Sequence, residues 1–190
     1  MPKLFIFDLD DTLAHLWVDW NGAVKREILD YAASDGLALN PEDGIVDVAE
    51  KASNTPERKR AVDAIFSKYE GKCIDGMDYF VYAQVPEMLR ELRRRGHRVA
   101  VASNNTLKTI QAVVEGGEFG VDAIRGRDTV KRAKPNPEMI FSLMDELRSG
   151  REDVVFVGDS ATDIGAGKAA EVRTIIVRPG EIDLKKVLGI

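Results

Sequence analysis

A chain of 190 residues with 44% hydrophobic side chains is long enough to bury one substantial core and to carry a small accessory domain beside it. A formal net charge of -5 argues against a nucleic-acid backbone as the main partner. The lone cysteine, Cys73, excludes an intrachain disulfide and suits a reducing, cytoplasmic setting, with the thiol as a small, partly buried side chain. The opening apolar run meets acids within a few residues, so neither a secretory leader nor a membrane span is expected.

The run Leu4-Phe5-Ile6-Phe7 reads as a buried strand that feeds straight into Asp8. From 14 to 84 no buried strand pattern is visible; the periodicity predicts helices over 23–33, 41–52 and 56–69, the last two opening on Pro followed by Glu. Ser34-Asp35-Gly36 and Ser53-Asn54-Thr55 read as the turns between them. Beyond this block, a helix over 86–95 places Met88, Leu89 and Leu92 inward and stops at Gly96, and a strand over 98–102 ends in Ser103. A helix over 107–115, a weaker strand over 121–125 and a helix over 137–147 follow. A strand over 154–157 ends in Gly158-Asp159, then come a helix over 164–171 and a strand over 174–177. Strands alternating with helices imply an α/β fold whose parallel sheet is covered on both faces. The helical block makes an insertion after the first strand, dividing the chain into a core of 1–13 and 85–190 and a helical domain of 14–84.

In an open parallel sheet, ligands bind beyond the carboxyl ends of the strands. Asp8, Ser103 and Asp159 each close an apolar run, which gathers them on that rim. Asp8 and Asp10 are two apart, so extended backbone aims both carboxylates to one side. Converging carboxylates need a shared proton or a hard divalent cation, and further oxygens from Asp159 and Asp163, without any His or Cys cluster, favour magnesium. Asp11 faces the other way and is expected to bind solvent or backbone. The basic clusters at 57–60 and 90–98 read as solvated helix surfaces, the second completing a helix C-terminus. His15 is expected to make a hinge contact, Trp17 and Trp20 to pack between the two domains, and His97 to have no role at the rim.

These strings together resemble one family. FDLDDTL, with Asp8, Asp10 and Thr12, is similar to the nucleophile motif of the haloacid dehalogenase superfamily of phosphatases. Ser103 in VASNN, Lys134 in KRAKPNPEMI, and Asp159 with Asp163 in GDSATDIGAGKAA fit the second, third and fourth motifs in the family's order. The resemblance implies a Rossmann-like parallel sheet of order 5-4-1-2-3 flanked by helices, with an inserted all-α cap like that of the phosphoglycolate phosphatase group. The opening is also similar to a smaller, capless magnesium-dependent phosphatase family, whereas KPNPEMI and the long insertion match the capped group.

By that resemblance the chain hydrolyses a small phosphorylated metabolite with Mg2+. Asp8 forms an aspartyl-phosphate and Asp10 serves as general acid and base. The cation set implied is Asp8, the Asp10 carbonyl and Asp159, with Asp163 orienting Lys134 or a water on the metal. Thr12, Ser103, Asn104 through its backbone N–H, and Lys134 form the implied substrate-binding set. Asp10 sets the sequence apart from haloacid dehalogenation and phosphonate cleavage, leaving a sugar phosphomutase and a non-catalytic phosphate-binding module as the alternatives. Specificity is assigned to the cap, with Arg26, Arg58 and Lys59 as candidate positions, and neither the substrate nor the oligomeric state is fixed by the sequence.

Overall fold

The computed structural model describes residues 3–188. The chain forms two compact units, Met1–Leu16 with Met77–Ile190, and Trp17–Gly76. In chain order, β1 (Leu4–Phe7) is wholly buried and is followed, after the loop that carries Asp8 and Asp10, by the short strand β2 (Ala14–Leu16).

The second unit is all helix. A π-helical turn over Trp20–Val24 is capped by Asp19, whose carboxylate accepts from the N–H groups of Gly22 and Ala23, both at 2.9 Å. It runs into α1 (Lys25–Ser34), followed by α2 (Ile45–Ala52) and α3 (Pro56–Asp75). The helices share a small core of Val24, Ile28, Val48, Ala52, Val62 and Ile65, against which Trp20 packs beside the Phe66 ring. Cys73 is buried on α3. Residues 41–44 are not helical, because Asn40 accepts from Glu42 N–H at 3.1 Å and so closes a local side-chain turn that competes with the helix. At its other end α3 runs past 69 through Gly71, and it stops at Asp75 before Gly76.

The chain then returns through β3 (Tyr79–Val81), which pairs antiparallel with β2. Neither strand is predicted by the sequence, since three residues are too few to establish a period-two pattern. Their pairing draws residues 14–16 and 79–81 into the core unit, so the helical unit is shorter at both ends than the expected 14–84. The remaining elements are α4 (Val85–Arg94), β4 (Arg98–Ala102), α5 (Leu107–Gly116), β5 (Ala123–Arg125), α6 (Glu138–Glu146), β6 (Val154–Gly158), α7 (Ala161–Ala170), β7 (Arg173–Ile176) and α8 (Leu184–Leu188).

The main sheet is parallel with order β5-β4-β1-β6-β7, which is the expected 5-4-1-2-3 when its strands alone are counted. Burial on both faces explains why β1, β4 and β6 read as continuous apolar runs. Leu4 and Ile6 face a layer built from Met139, Ile140 and Leu143 of α6 and Ala166 and Ala170 of α7, with Phe156 in the same layer. Phe5 and Phe7 alternate to the other face, where the His97 ring meets Phe5 edge-on and its Nδ1 accepts from Lys3 N–H at 3.0 Å. His97 therefore holds the start of β1. Among the described residues no helix is long and apolar enough to cross a membrane.

Apart from Arg98, which donates to Ser149 Oγ at 2.8 Å, the arginines of both basic clusters are tied to acids. Arg58 pairs with Asp35, Arg60 with Glu57, Arg90 with Glu87, Arg93 with Asp122, and Arg94 and Arg95 with Glu91.

Phe156 is fully buried at the centre of the sheet. Truncating Phe156→Ala is expected to cost about 3–5 kcal/mol of stability, read as a fall in the urea midpoint with an unchanged slope.

Candidate active site

The Asp8 N–H donates to the Val157 carbonyl at 2.8 Å, which prolongs the β1–β6 ladder and sets the Asp8 side chain on the rim beside Gly158 and Asp159. After Leu9 the chain turns sharply. The N–H groups of Thr12, Leu13 and Ala14 all reach the Leu9 carbonyl, at 3.2, 2.8 and 3.0 Å, and Asp11 takes a left-handed φ of 60°. This turn buries Thr12 and directs its hydroxyl to Asp159 Oδ1 at 3.1 Å. The Asp10 carboxylate accepts the Leu16 N–H of β2 at 2.9 Å. Asp11 does not rest on backbone or solvent alone: His15 Nδ1 lies 2.7 Å from its Oδ1, one helical-turn spacing along the chain.

Lys134 lies between β5 and α6, outside any helix or strand, and is almost wholly buried. Its ammonium stands 2.6 Å from Asp163 Oδ1 and 2.7 Å from Asp8 Oδ1. The contact with Asp163 is a hydrogen bond and that with the buried Oδ1 of Asp8 is an ion pair. Asp163 is engaged through both oxygens. It is the third residue of α7 and completes a capping box, its Oδ2 accepting from Ser160 Oγ at 2.5 Å, Ser160 N–H at 3.0 Å and Asp159 N–H at 3.2 Å. Gly158 makes this approach possible, since a Cβ there would lie 2.4 Å from Asp163 Cγ.

Ser103 is buried at the end of β4, and its hydroxyl donates to Asn105 Oδ1 at 2.8 Å. It does not cap α5: that work falls to Thr106, which accepts from Thr109 N–H. The Asn104 side chain bonds the backbone of Lys134, bringing the second and third motifs together.

The structure therefore gathers Asp8, Thr12, Lys134, Asp159 and Asp163 in one network, with Asn104 joined to it through Lys134. The Asp10 carboxylate is turned to β2, and the Ser103 hydroxyl to Asn105. Sequence reasoning missed Ser160 and Asn105. The first was legible as the S-x-x-D capping signature; the second carried no signal, because its contact with Ser103 depends on the turn between them.

Burial pushes the Asp8 carboxyl up to about 7; Lys134 opposes this, while Asp163 adds to it. Burial, with the charge of Asp163, likewise raises Asp159 to about 6. For Asp163 burial also works upward, but Lys134 and the Ser160 donors outweigh it and hold the group below its ordinary value. Lys134 is held above its ordinary value because the two carboxylates outweigh its burial.

Carboxylate oxygens of Asp8, Asp159 and Asp163 all lie within 4.8 Å of one another. All are hard oxygen donors, and with one lysine among three acids the cluster is short of positive charge. The three carboxylates together fit a divalent cation in this rim, and the donor chemistry fits magnesium.

A network of this kind at the carboxyl edge of a five-stranded parallel sheet defines the hydrolase class, and the sequence pattern of the haloacid dehalogenase-like hydrolases matches residues 5–177. The chain belongs to that family. Phosphoglycolate phosphatase of Rhodospirillum rubrum is 29% identical, over 95% of this chain and 81% of its own. Phosphoglycolate phosphatase of Aquifex aeolicus is 26% identical, over 96% of this chain and 87% of its own. A hydrolase of Pseudomonas syringae shares the fold, with a TM-score of 0.70 at 18% identity over 98% of this chain and 90% of that one.

The raised pKa of Asp8 has a sign that can be tested. A carboxyl whose folded pKa of about 7 exceeds its ordinary 3.8 favours the fold at low pH, and that contribution is lost as the pH climbs through about 7. Asp163, held down, acts in the opposite sense and loses its contribution as the pH falls below 3.8. In chelator, Asp8→Asn is therefore expected to raise the urea midpoint above wild type at pH about 8, with the advantage shrinking toward pH about 5. Equal midpoints at both pH values would contradict the assignment.

Proposed function

We propose that the chain is a magnesium-dependent phosphatase that hydrolyses a small phosphorylated metabolite through an aspartyl-phosphate on Asp8. One observation carries the reading: a buried carboxylate at the end of the central strand, in a 2.7 Å ion pair with a buried lysine and with two further carboxylates close by. Burial strips this carboxylate of most of its water, and the lysine fixes its position at the rim.

In the first half-reaction Asp8 attacks phosphorus in line with the leaving alcohol, whose oxygen takes a proton from Asp10. In the second, Asp10 takes a proton from water, the water oxygen attacks phosphorus, and phosphate leaves as Asp8 is regenerated. The Lys134 ammonium, the Ser103 hydroxyl and the Asn104 N–H hold the phosphoryl oxygens. The ordered donation from Leu16 N–H to Asp10 Oδ1 limits where that carboxyl can swing. Asp8 and Asp159 are the carboxylates proposed to hold the cation, with the Asp10 carbonyl. Asp163, both of whose oxygens are engaged, fixes Lys134 instead. Thr12 serves by orienting Asp159. When bound, magnesium supplies the positive charge that lets a phosphate dianion approach a carboxylate.

The helical unit, entered and left through the β2–β3 ribbon, is proposed as the cap that selects the substrate. Phosphoglycolate is the first candidate, because relatives spanning nearly the whole chain are phosphoglycolate phosphatases. A cytoplasmic setting follows from the same reading.

Asp8→Asn is expected to lower kcat by about 10³-fold or more, measured as phosphate released from 2-phosphoglycolate and a panel of sugar phosphates. Turnover within a few-fold of wild type would defeat the proposal, and an isomerised sugar phosphate in place of free phosphate would select a mutase. Excess chelator is expected to stop wild-type hydrolysis and added magnesium to restore it; full activity in chelator would rule out the metal assignment.

A further inference from the structure

Lys134 reaches the site from an irregular segment, so nothing in a helix or strand fixes the root of its long, flexible side chain. Yet its ammonium stands between two carboxylates at 2.6 and 2.7 Å. The restraint is supplied across the chain by Asn104. Lys134 N–H donates to Asn104 Oδ1 at 2.9 Å, and Asn104 Nδ2 donates to the Lys134 carbonyl at 2.9 Å. A primary amide matched to the N–H and C=O of one residue is a two-point clasp, which fixes rotation as well as position.

Asn104 is braced in turn. The buried Arg127 donates from Nη1 to the Asn104 carbonyl at 3.0 Å, and its N–H donates to the Asn105 carbonyl at 3.0 Å. Asp128 Oδ1 accepts from Leu107 N–H at 2.8 Å. Around these bonds the two segments touch backbone to backbone, since a Cβ on Gly126 would come within 2.5 Å of Leu107 N and 2.8 Å of Asn105 O. The loop after β4 and the segment after β5 are thus one body, and the Asn104 amide is its grip on Lys134.

We propose that the Asn104 side chain, braced by Arg127, is a positioning residue that sets where the Lys134 ammonium stands relative to Asp8. This rests on the reading of Asp8 as the nucleophile. The role is separate from that of the Asn104 backbone N–H, which alanine retains. A misplaced Lys134 would weaken its hold on the phosphoryl oxygens most as their charge shifts during transfer, with the Ser103 and Asn104 donors still binding the ground state, so the loss falls on kcat more than on KM.

The test uses the full chain with magnesium and p-nitrophenyl phosphate, comparing wild type, Asp8→Asn, Asn104→Ala, Arg127→Lys and the Asn104→Ala/Arg127→Lys pair, each checked for folding by circular dichroism. Asn104→Ala is expected to lower kcat about 10- to 100-fold with KM within about threefold. Arg127→Lys keeps the charge but loses the fork, and is expected to lower kcat by about threefold or more. The pair is expected to fall no further than Asn104→Ala alone, because both act through one clasp.

With Asp8→Asn inactive, an Asn104→Ala kcat within about twofold of wild type overturns the proposal. So does a loss confined to KM, which would put the side chain on the substrate, and so do losses that multiply in the pair. If Asn104→Ala does not fold, Arg127→Lys alone decides: wild-type kcat overturns the proposal and a lowered kcat supports it. An active Asp8→Asn would instead bring down the nucleophile reading and this inference with it.

Discussion

The site turns on one buried ammonium placed between two carboxylates. Lys134 could not stay charged in a desolvated rim without Asp8 and Asp163, and the two acids could not approach each other without it. The partition is unequal. Asp163 gains the aligned hydrogen bond and the N-terminus of α7, and is held as an anion. Asp8 has the ion pair with Lys134, and burial pushes its carboxyl up to about 7. One lysine thus serves two acids whose pKa values burial and hydrogen bonding drive in opposite directions.

That division needs close contacts that only small residues permit. Gly158 allows the α7 N-terminus to bring Asp163 against the end of β6, and the tight turn at Asp11 and Thr12 sends a hydroxyl to Asp159. The fold works as a frame in which the end of β1 places Asp8, β6 and α7 place Asp159 and Asp163, and the irregular segments place Lys134 and Asn104. The helical unit folds around its own small core of Val24, Ile28, Val48, Ala52, Val62 and Ile65.

Much of this was legible because it lies in short strings. The end of β1 at Phe7, the span of β4, the α/β alternation and the rim position of Asp8 and Asp159 follow from runs of apolar residues that end in polar ones. The β2–β3 ribbon escaped notice because its strands are three residues long and more than sixty positions apart, so neither periodicity nor a turn signal marks them. Residues 41–44 misled for a local reason, since Asn40 competes with the helix that the Pro-Glu opening suggests.

By itself the sequence determined the parallel α/β core, its helical insertion, and the identity of the acids and the lysine, because apolar periodicity and four ordered motifs are properties of neighbouring residues. The tertiary structure alone decided how those groups share their bonds. Asp163 lost both oxygens to Lys134 and Ser160, Asp10 was turned to β2, Thr12 was given to Asp159, and Asn104 was set on the Lys134 backbone. Most of these contacts join residues far apart in the chain; all depend on angles and sub-ångström distances, which no spacing of letters encodes.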